Sequence, residues 1–142
     1  TNYMDRIGSV FKEFSRMRLP LTFMVSSPLE LENKVELFFC LPTPLDGDYR
    51  EIIIKAVSEA VTVEISPVAI FSMNGPHFGD RYGIANELLK ALDLVQVEPM
   101  ALSFSIASIA GVVKADQIHS AISGIQECFE VPSVIQRTHS FD

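Results

Sequence analysis

Asp5-Arg6-Ile7-Gly8 and Asp80-Arg81-Tyr82-Gly83 are two copies of one short motif, Asp-Arg-x-Gly, and they start 75 residues apart, at residues 5 and 80. Each copy stands at the start of a segment in which apolar residues recur with helical spacing. A four-residue match is weak by itself, but the helices and strands predicted after each copy follow the same order. The chain of 142 residues is therefore interpreted as an internal repeat of two similar modules.

The first half is predicted to contain a helix, two strands, a second helix and further strands. The apolar stripe of the first helix begins at Met4, and Pro20 is predicted to end that helix, because proline lacks a backbone donor and restricts the residue before it. Ser26, Ser27 and Pro28 are interpreted as a polar turn. The predicted segments are, in order, the helix from residue 4, strands at 21–25 and 35–40, a helix capped by Asp48 that runs to residue 60, and strands at 62–65 and 68–73.

The second half repeats this order. Its predicted segments are a glycine-rich loop at 74–79, a helix at 80–92, strands at 95–100 and 103–113, a helix capped by Asp116 that runs to residue 129, and a closing strand at 131–137. Each half thus follows a βαββαβ plan, in which helices pack on one face of an antiparallel sheet. The predicted fold class is α+β, with tandem ferredoxin-like modules, antiparallel sheets and helices on one face.

The predicted modules cover residues 1–66 and 67–142. The first module has no obvious opening strand, because only three residues precede its helix at Met4. Either a longer protein extends before Thr1, or another segment takes that place in the sheet. A strand supplied by the last segment of the second module would complete the first and leave no bare sheet edge.

Composition indicates a folded chain, since hydrophobic residues make up 48% and charged residues 20%. The net charge of −7 argues against nucleic acid or an anionic membrane as a partner, because binding to phosphates relies on clustered Lys and Arg. No segment has the ~18 uninterrupted apolar residues of a membrane span, and the N-terminus does not resemble a secretory signal. The expected location is the cytoplasm.

Residues that carry catalysis or bind metals lack the spacing that such chemistry needs. Cys40 and Cys128 do not form a CxxC pair and are predicted to be buried free thiols, with a disulfide between them as the alternative. The glycines after Asn74 lack the lysine and hydroxyl of a nucleotide-binding loop. No catalytic residue, metal or cofactor is therefore predicted; the enzymatic alternative is an acyl phosphatase that uses Asn74 and Arg81. The histidines without metal-binding spacing are His77, His119 and His139.

Several segments of the second half resemble the ACT family, and in particular the paired C-terminal regulatory modules of aspartokinases. The likeness covers nearly the whole chain and rests on pattern rather than long identical stretches. Ile7 and Tyr82 stand where the family usually has proline in its turn before the helix. The segments that carry the resemblance are Gly75-Pro76, Gly79, Gly83-Ile84-Ala85, Leu88 to Leu92, Ser103 to Val113 and the helix that contains His119.

This resemblance implies a non-catalytic regulatory module that binds a small amino acid, lysine or threonine, and allosterically controls an aspartokinase-type enzyme. It also implies a homodimer formed through the ACT modules, with a kinase domain in the same protein or in a partner. The alternative is a dimerisation or assembly module with a vestigial ligand site.

The candidate ligand site combines the two Asp-Arg-x-Gly motifs with nearby polar residues. The N-terminus of a helix presents free N–H groups and a partial positive charge to a ligand carboxylate, and glycine lets the backbone approach closely. Asp5 or Asp80 could pair with a ligand ammonium; alternatively, each only caps its helix. The candidate ligand-binding residues are Asp5, Arg6, Gly8, Ser26, Ser27, Asn74, Gly75, Asp80, Arg81 and Gly83.

Overall fold

The computed structural model describes residues 3–29, 34–42, 51, 54, 62–75 and 83–129. The chain divides into two compact units, Thr1–Ile65 and Ser66–Asp142. The predicted helix at 48–60 lies outside the described residues except for Glu51 and Ile54, which are helical, and the predicted closing strand at 131–137 lies wholly outside them. The described elements are α1 (Tyr3–Arg16), β1 (Phe23–Leu29), β2 (Lys34–Cys40), β3 (Val68–Asn74), α2 (Ile84–Leu94), β4 (Ala101–Phe104), β5 (Ser108–Lys114) and α3 (Ile118–Cys128).

Helix α1 ends at Arg16, before the proline that was predicted to stop it. Arg18 takes a left-handed conformation with φ 53°. Its N–H donates to Ser15 O at 3.1 Å, and the N–H of Leu19 donates to Phe14 O at 3.0 Å. This is the Schellman arrangement, which satisfies the last carbonyls of a helix and turns the chain away from its axis.

Strands β1 and β2 form an antiparallel hairpin with α1 packed on one face. The register runs from Phe23 opposite Cys40 to Leu29 opposite Lys34. The ring of Phe14, which is buried, meets the ring of Phe39 edge-on with centroids 4.9 Å apart. The turn predicted at 26–28 is wrong, since these residues lie inside β1. Pairing of their backbone with β2 outweighs the local turn preference of Ser-Ser-Pro.

The described residues of the second unit include a three-stranded antiparallel sheet in the order β3-β5-β4. Along the chain, α2 follows β3 and precedes β4. Strand β5 then lies between β3 and β4 in the sheet. The buried side chains of α2 and α3 pack with those from one face of the sheet, which confirms the predicted α+β class with antiparallel strands. The buried residues of this core are Phe71, Ile84, Leu88, Ala91, Leu92, Val97, Ile109, Val113, Ala121, Ile125 and Phe129.

Two predicted strands are absent, those at 62–65 and 95–100. The second is replaced by a helix end like that of α1. Gln96 is left-handed with φ 56°, and its N–H donates to Asp93 O at 2.9 Å. The N–H of Val97 donates to Leu92 O at 2.9 Å, so the alternating residues that favour a strand serve as a helix cap. The predicted strand at 103–113 is also divided in two. Strand β4 ends at Phe104, a turn occupies residues 105–107, and β5 begins at Ser108.

The helix starts of the second unit also differ from the prediction. Helix α2 begins at Ile84 rather than at Asp80, with Gly83 as its N-terminal cap residue. Asp116 does not cap α3, because it lies in a 3₁₀ turn (Ala115–Gln117), and Gln117 holds the cap position. Ala85 and Ile122 are exposed. The two helices come closest at Ala91 and Gly124, where a Cβ at Gly124 would lie 2.7 Å from Ala91 O.

The described helices include none that is long and apolar enough to span a membrane.

Gly111 lies in the middle of the central strand, opposite Phe71 of β3 and Leu102 of β4. A Cβ atom built there would overlap the ring of Phe71 and would lie 2.9 Å from Leu102 Cδ2. The ring is buried in the core and therefore has little freedom to withdraw. The missing side chain at residue 111 is what lets Phe71 lie across the central strand.

The change Gly111→Ala is expected to lower the free energy of unfolding by roughly 1–3 kcal/mol, because it overpacks the core. Gly8→Ala is the matched control, since Gly8 lies inside α1 and a Cβ there has no atom within 4 Å. That control should raise the free energy of unfolding by about 0.5–1 kcal/mol. Urea denaturation measures both changes, and adding Phe71→Leu should recover part of the loss. Equal stability of Gly111→Ala and the unchanged chain would contradict the packing argument.

The two cysteines are free and differ in exposure. Cys40 is buried as predicted, and its carbonyl accepts hydrogen bonds from the backbone N–H and hydroxyl of Thr22, at 3.1 and 3.2 Å. Burial raises the pKa of the Cys40 thiol above its ordinary value. Cys128, also predicted to be buried, is exposed at the end of α3, so that prediction is wrong.

With a chromogenic disulfide reagent at neutral pH, Cys128 is expected to react quickly, and Cys40 only after addition of denaturant. The reason is that burial of Cys40 restricts access and suppresses the thiolate that attacks the reagent. The control Cys128→Ser should lose the fast reaction entirely. Two thiols that react at one rate in the folded chain would show that Cys40 is accessible.

Candidate functional site

The first Asp-Arg-x-Gly motif lies inside a helix. Helix α1 begins at Tyr3, so Asp5 is in its first turn and Gly8 is its sixth residue. An acidic residue in the first turn interacts favourably with the helix dipole. The backbone of Arg6 is part of the same helix. Gly8 is exposed, and a Cβ added to it would meet nothing within 4 Å, so no close approach there requires a glycine.

The second motif ends immediately before a helix. Gly83 has φ 82°, a left-handed conformation that L side chains rarely adopt, and its carbonyl accepts the N–H of Glu87 at 2.9 Å. Among the described residues, no side-chain hydrogen bond caps the N-terminus of α2. Asp80 and Arg81 lie outside the described residues. The two glycines of the motif therefore differ in conformation: Gly8 continues a helix, whereas Gly83 starts one.

Asn74 and Gly75 stand at the end of β3, beside the turn that joins β4 and β5. Asn74 is exposed and pairs with Ser108 of β5. The N–H of Gly75 donates to Ala107 O at 3.1 Å and so extends the ladder by one bond. The structure thus brings these two candidate residues next to the Ser105–Ser108 turn.

The remaining candidates, Ser26 and Ser27, belong to the first unit. They lie in β1, opposite Leu37 and Glu36 of β2. Ser26 is half-buried. Both residues pair with β2 as part of a strand, so they do not form the predicted turn.

The turn between β4 and β5 is held by hydroxyl groups whose role sequence reasoning did not identify. The hydroxyl of Ser105 donates to Ser108 O at 3.0 Å and accepts from Ser108 N–H at 3.0 Å. The two hydroxyl oxygens are 2.7 Å apart. The sequence did contain a signal for this turn, a serine on each side of the dipeptide Ile106-Ala107. Serine hydroxyls often replace backbone partners in tight turns.

Charged side chains of the described residues lie at the surface. None of the described polar or charged residues is buried, and the ion pair between Arg16 and Glu13, 2.9 Å long, is exposed. Within the same described ranges, no group of three or more His, Cys, Asp or Glu residues is placed to hold a metal ion.

Comparison with known proteins shows similarity at the level of structure. No family model matches the sequence, and no curated protein matches it. The regulatory subunit of aspartate kinase from Thermus thermophilus, in its ligand-free form, aligns with a TM-score of 0.71 at 12% identity, over 88% of this chain and 84% of that subunit.

Two longer chains, both aspartate kinases, align with similar quality. The enzyme from Clostridium acetobutylicum has a TM-score of 0.74 at 19% identity, over 87% of this chain and 29% of the enzyme. The enzyme from Synechocystis has a TM-score of 0.73 at 17% identity, over 95% of this chain and 25% of the enzyme. The chain therefore shares the α+β fold of the aspartate kinase regulatory subunit from Thermus thermophilus and spans less than a third of the length of the two aspartate kinases.

Proposed function

We propose that this chain is a non-catalytic regulatory module that binds a small amino acid and controls an aspartokinase-type enzyme. The observation that carries the proposal is the shared fold with the regulatory subunit from Thermus thermophilus, which extends over 84% of that subunit. Lysine and threonine are the first ligands to test, on the basis of the resemblance to aspartokinases. The proposal includes a homodimer, a location in the cytoplasm, and a kinase domain that is attached or is a separate partner.

The N-terminus of α2 is the better of the two candidate ligand positions. Gly83 is left-handed and, being a glycine, has no side chain to cap the first N–H groups of α2, and N–H groups at a helix start suit a carboxylate. Asp80, three residues earlier, would pair with the ligand ammonium. At the first motif, the helix already begins at Tyr3, so Gly8 cannot present a helix start to a ligand.

Regulation requires that the ligand bind two arrangements of the protein with different affinity. A ligand with equal affinity for both shifts nothing, whereas a typical coupling of 1–3 kcal/mol changes the affinity or activity of the partner site about 5- to 150-fold. Helix α2 supports such coupling, because its first turn would hold the ligand and its last turn, capped through Gln96, leads into β4.

An assembly module with a vestigial ligand site is the second candidate. The observation in its favour is the exposure of large apolar side chains at the β4–β5 turn, where Ile106 is 79% exposed and Phe104 45% exposed. Such residues are typical of a surface that meets another protein. The two candidates differ in one measurable property, the binding of an amino acid.

Titration calorimetry with a panel of amino acids at millimolar concentration is expected to detect binding of one of them. Gly83→Ala should weaken that binding about tenfold. A residue with a Cβ is strained at φ 82°, so the backbone would change conformation and its N–H groups would move away from the ligand. Gly8→Ala, the matched control in α1, should leave the affinity unchanged.

Thermal unfolding gives an independent measurement, since a ligand at 100 times its dissociation constant stabilises the folded chain by about 2.7 kcal/mol. Absence of heat and of any thermal shift across the whole panel would exclude the ligand-binding proposal and leave the assembly module. Equal effects of Gly83→Ala and Gly8→Ala on the affinity would show that the ligand does not bind at the N-terminus of α2.

A further inference from the structure

Asparagine is followed directly by glycine at one place in the sequence, Asn74-Gly75. Asn74 is the last residue of β3, and its side chain is exposed. Asparagine is a thermolabile residue, because its side-chain amide can react with the backbone nitrogen of the next residue. Glycine favours this reaction, since it has no Cβ to obstruct the approach or to restrict the backbone. In the other three dipeptides a side chain follows the asparagine: Asn2-Tyr3, Asn33-Lys34 and Asn86-Glu87.

The reaction is a deamidation, and water is its only co-reactant. The backbone nitrogen of Gly75 loses its proton and attacks Cγ of Asn74, which forms a C–N bond and closes a succinimide ring. The side-chain nitrogen of Asn74 takes up a proton and leaves as ammonia. Water then opens the ring at either of its carbonyl groups, so residue 74 becomes aspartate or isoaspartate. Both products carry a new negative charge, and isoaspartate also lengthens the backbone by the side-chain CH₂ group.

The fold holds the reacting nitrogen in a hydrogen bond. The N–H of Gly75 donates to Ala107 O at 3.1 Å, and Asn74 lies opposite Ser108 in the register of β3 and β5. While this bond is intact, the nitrogen keeps its proton and is directed toward Ala107 instead of Cγ of Asn74. The reaction therefore requires a local opening at the end of β3, like the openings that limit the exchange of protected amide hydrogens.

The turn between β4 and β5 supplies the carbonyl of this hydrogen bond. Ala107 lies between Ser105 and Ser108, and the hydroxyl of Ser105 donates to Ser108 O at 3.0 Å and accepts from Ser108 N–H at 3.0 Å. The backbone N–H of Ser105 also donates to Ser108 O, at 2.8 Å. Because these bonds fix the turn, the Ser105 hydroxyl restrains Gly75 through the position of Ala107 O.

We propose that Asn74 is a deamidation site and that the Ser105–Ser108 turn controls its rate. The site reacts slowly while Ala107 O holds the N–H of Gly75, and faster whenever this bond is opened. The change is irreversible and places a carboxylate at the end of β3, a strand without a charged residue. The inference does not depend on the proposed function, because no ligand or partner takes part in the reaction.

Incubation of the chain at mildly alkaline pH, followed by peptide mapping with mass spectrometry, tests the proposal. The peptide that contains Asn74 should gain the mass difference between an amide and an acid, and ion-exchange chromatography should separate the more acidic product. Asn86 is the internal control, since it is also exposed but precedes Glu87, and it should stay unchanged. Intact Asn74 after long incubation of the urea-denatured chain would overturn the site itself.

Ser105→Ala should speed up deamidation of the folded chain about two- to tenfold, which is the effect of one hydrogen bond on a local opening equilibrium. Ser103→Ala is the matched control, because Ser103 is an exposed serine of β4, and it should leave the rate unchanged. In urea, both variants and the unchanged chain should react at one common rate, faster than the folded chain.

Equal rates for folded Ser105→Ala and Ser103→Ala would overturn control by the turn, as would equal rates for the folded and denatured unchanged chain. If Ser105→Ala does not fold, amide hydrogen exchange of the unchanged chain decides the question. The N–H of Gly75 should then exchange slowly, and exchange at the rate of a denatured chain would contradict the proposal.

Discussion

The ring of Phe71 lies across the backbone of Gly111, and the core of the second unit is arranged around that contact. Because the central strand has no side chain at this point, an aromatic ring from β3 and Leu102 from β4 can both reach over it. Ile109 and Val113 flank the contact on the same face and are fully buried. Any side chain at residue 111 would compete with the ring for the space between sheet and helices.

The helix layer above the sheet depends on a second close approach. Gly124 lets α3 lie against the backbone of α2, where a Cβ would come within 2.7 Å of Ala91 O. Val95, just after α2, closes the same gap from the other side, with its methyl carbons 2.9 and 3.0 Å from that Cβ position. The absence of a side chain at Gly111 thus allows the close contact within the sheet, and its absence at Gly124 allows the close approach of the two helices.

Helix α2 begins at the residue where the ligand is proposed to bind. It starts at Gly83 and ends in the turn at Gln96 that leads to β4. Its inner face, with Leu88 and Leu92, is completely buried. Packed atoms therefore connect the proposed ligand position with the core of the second unit.

The sequence by itself determined the class of fold, the first helix, most of the strands at 35–40 and 68–73 and the apolar character of the core, because helical spacing and runs of β-forming residues are local signals. It misplaced segments whose structure depends on distant partners. Ser26, Ser27 and Pro28 favour a turn locally, yet their backbone pairs with β2. Residues 95–97 resemble a strand, yet they cap a helix. The repeated Asp-Arg-x-Gly motif suggested two equivalent sites, but only tertiary structure decided that Gly8 continues α1 while Gly83 starts α2. The two glycines of the motif take different conformations because the packing of each helix, rather than the motif, sets where that helix begins.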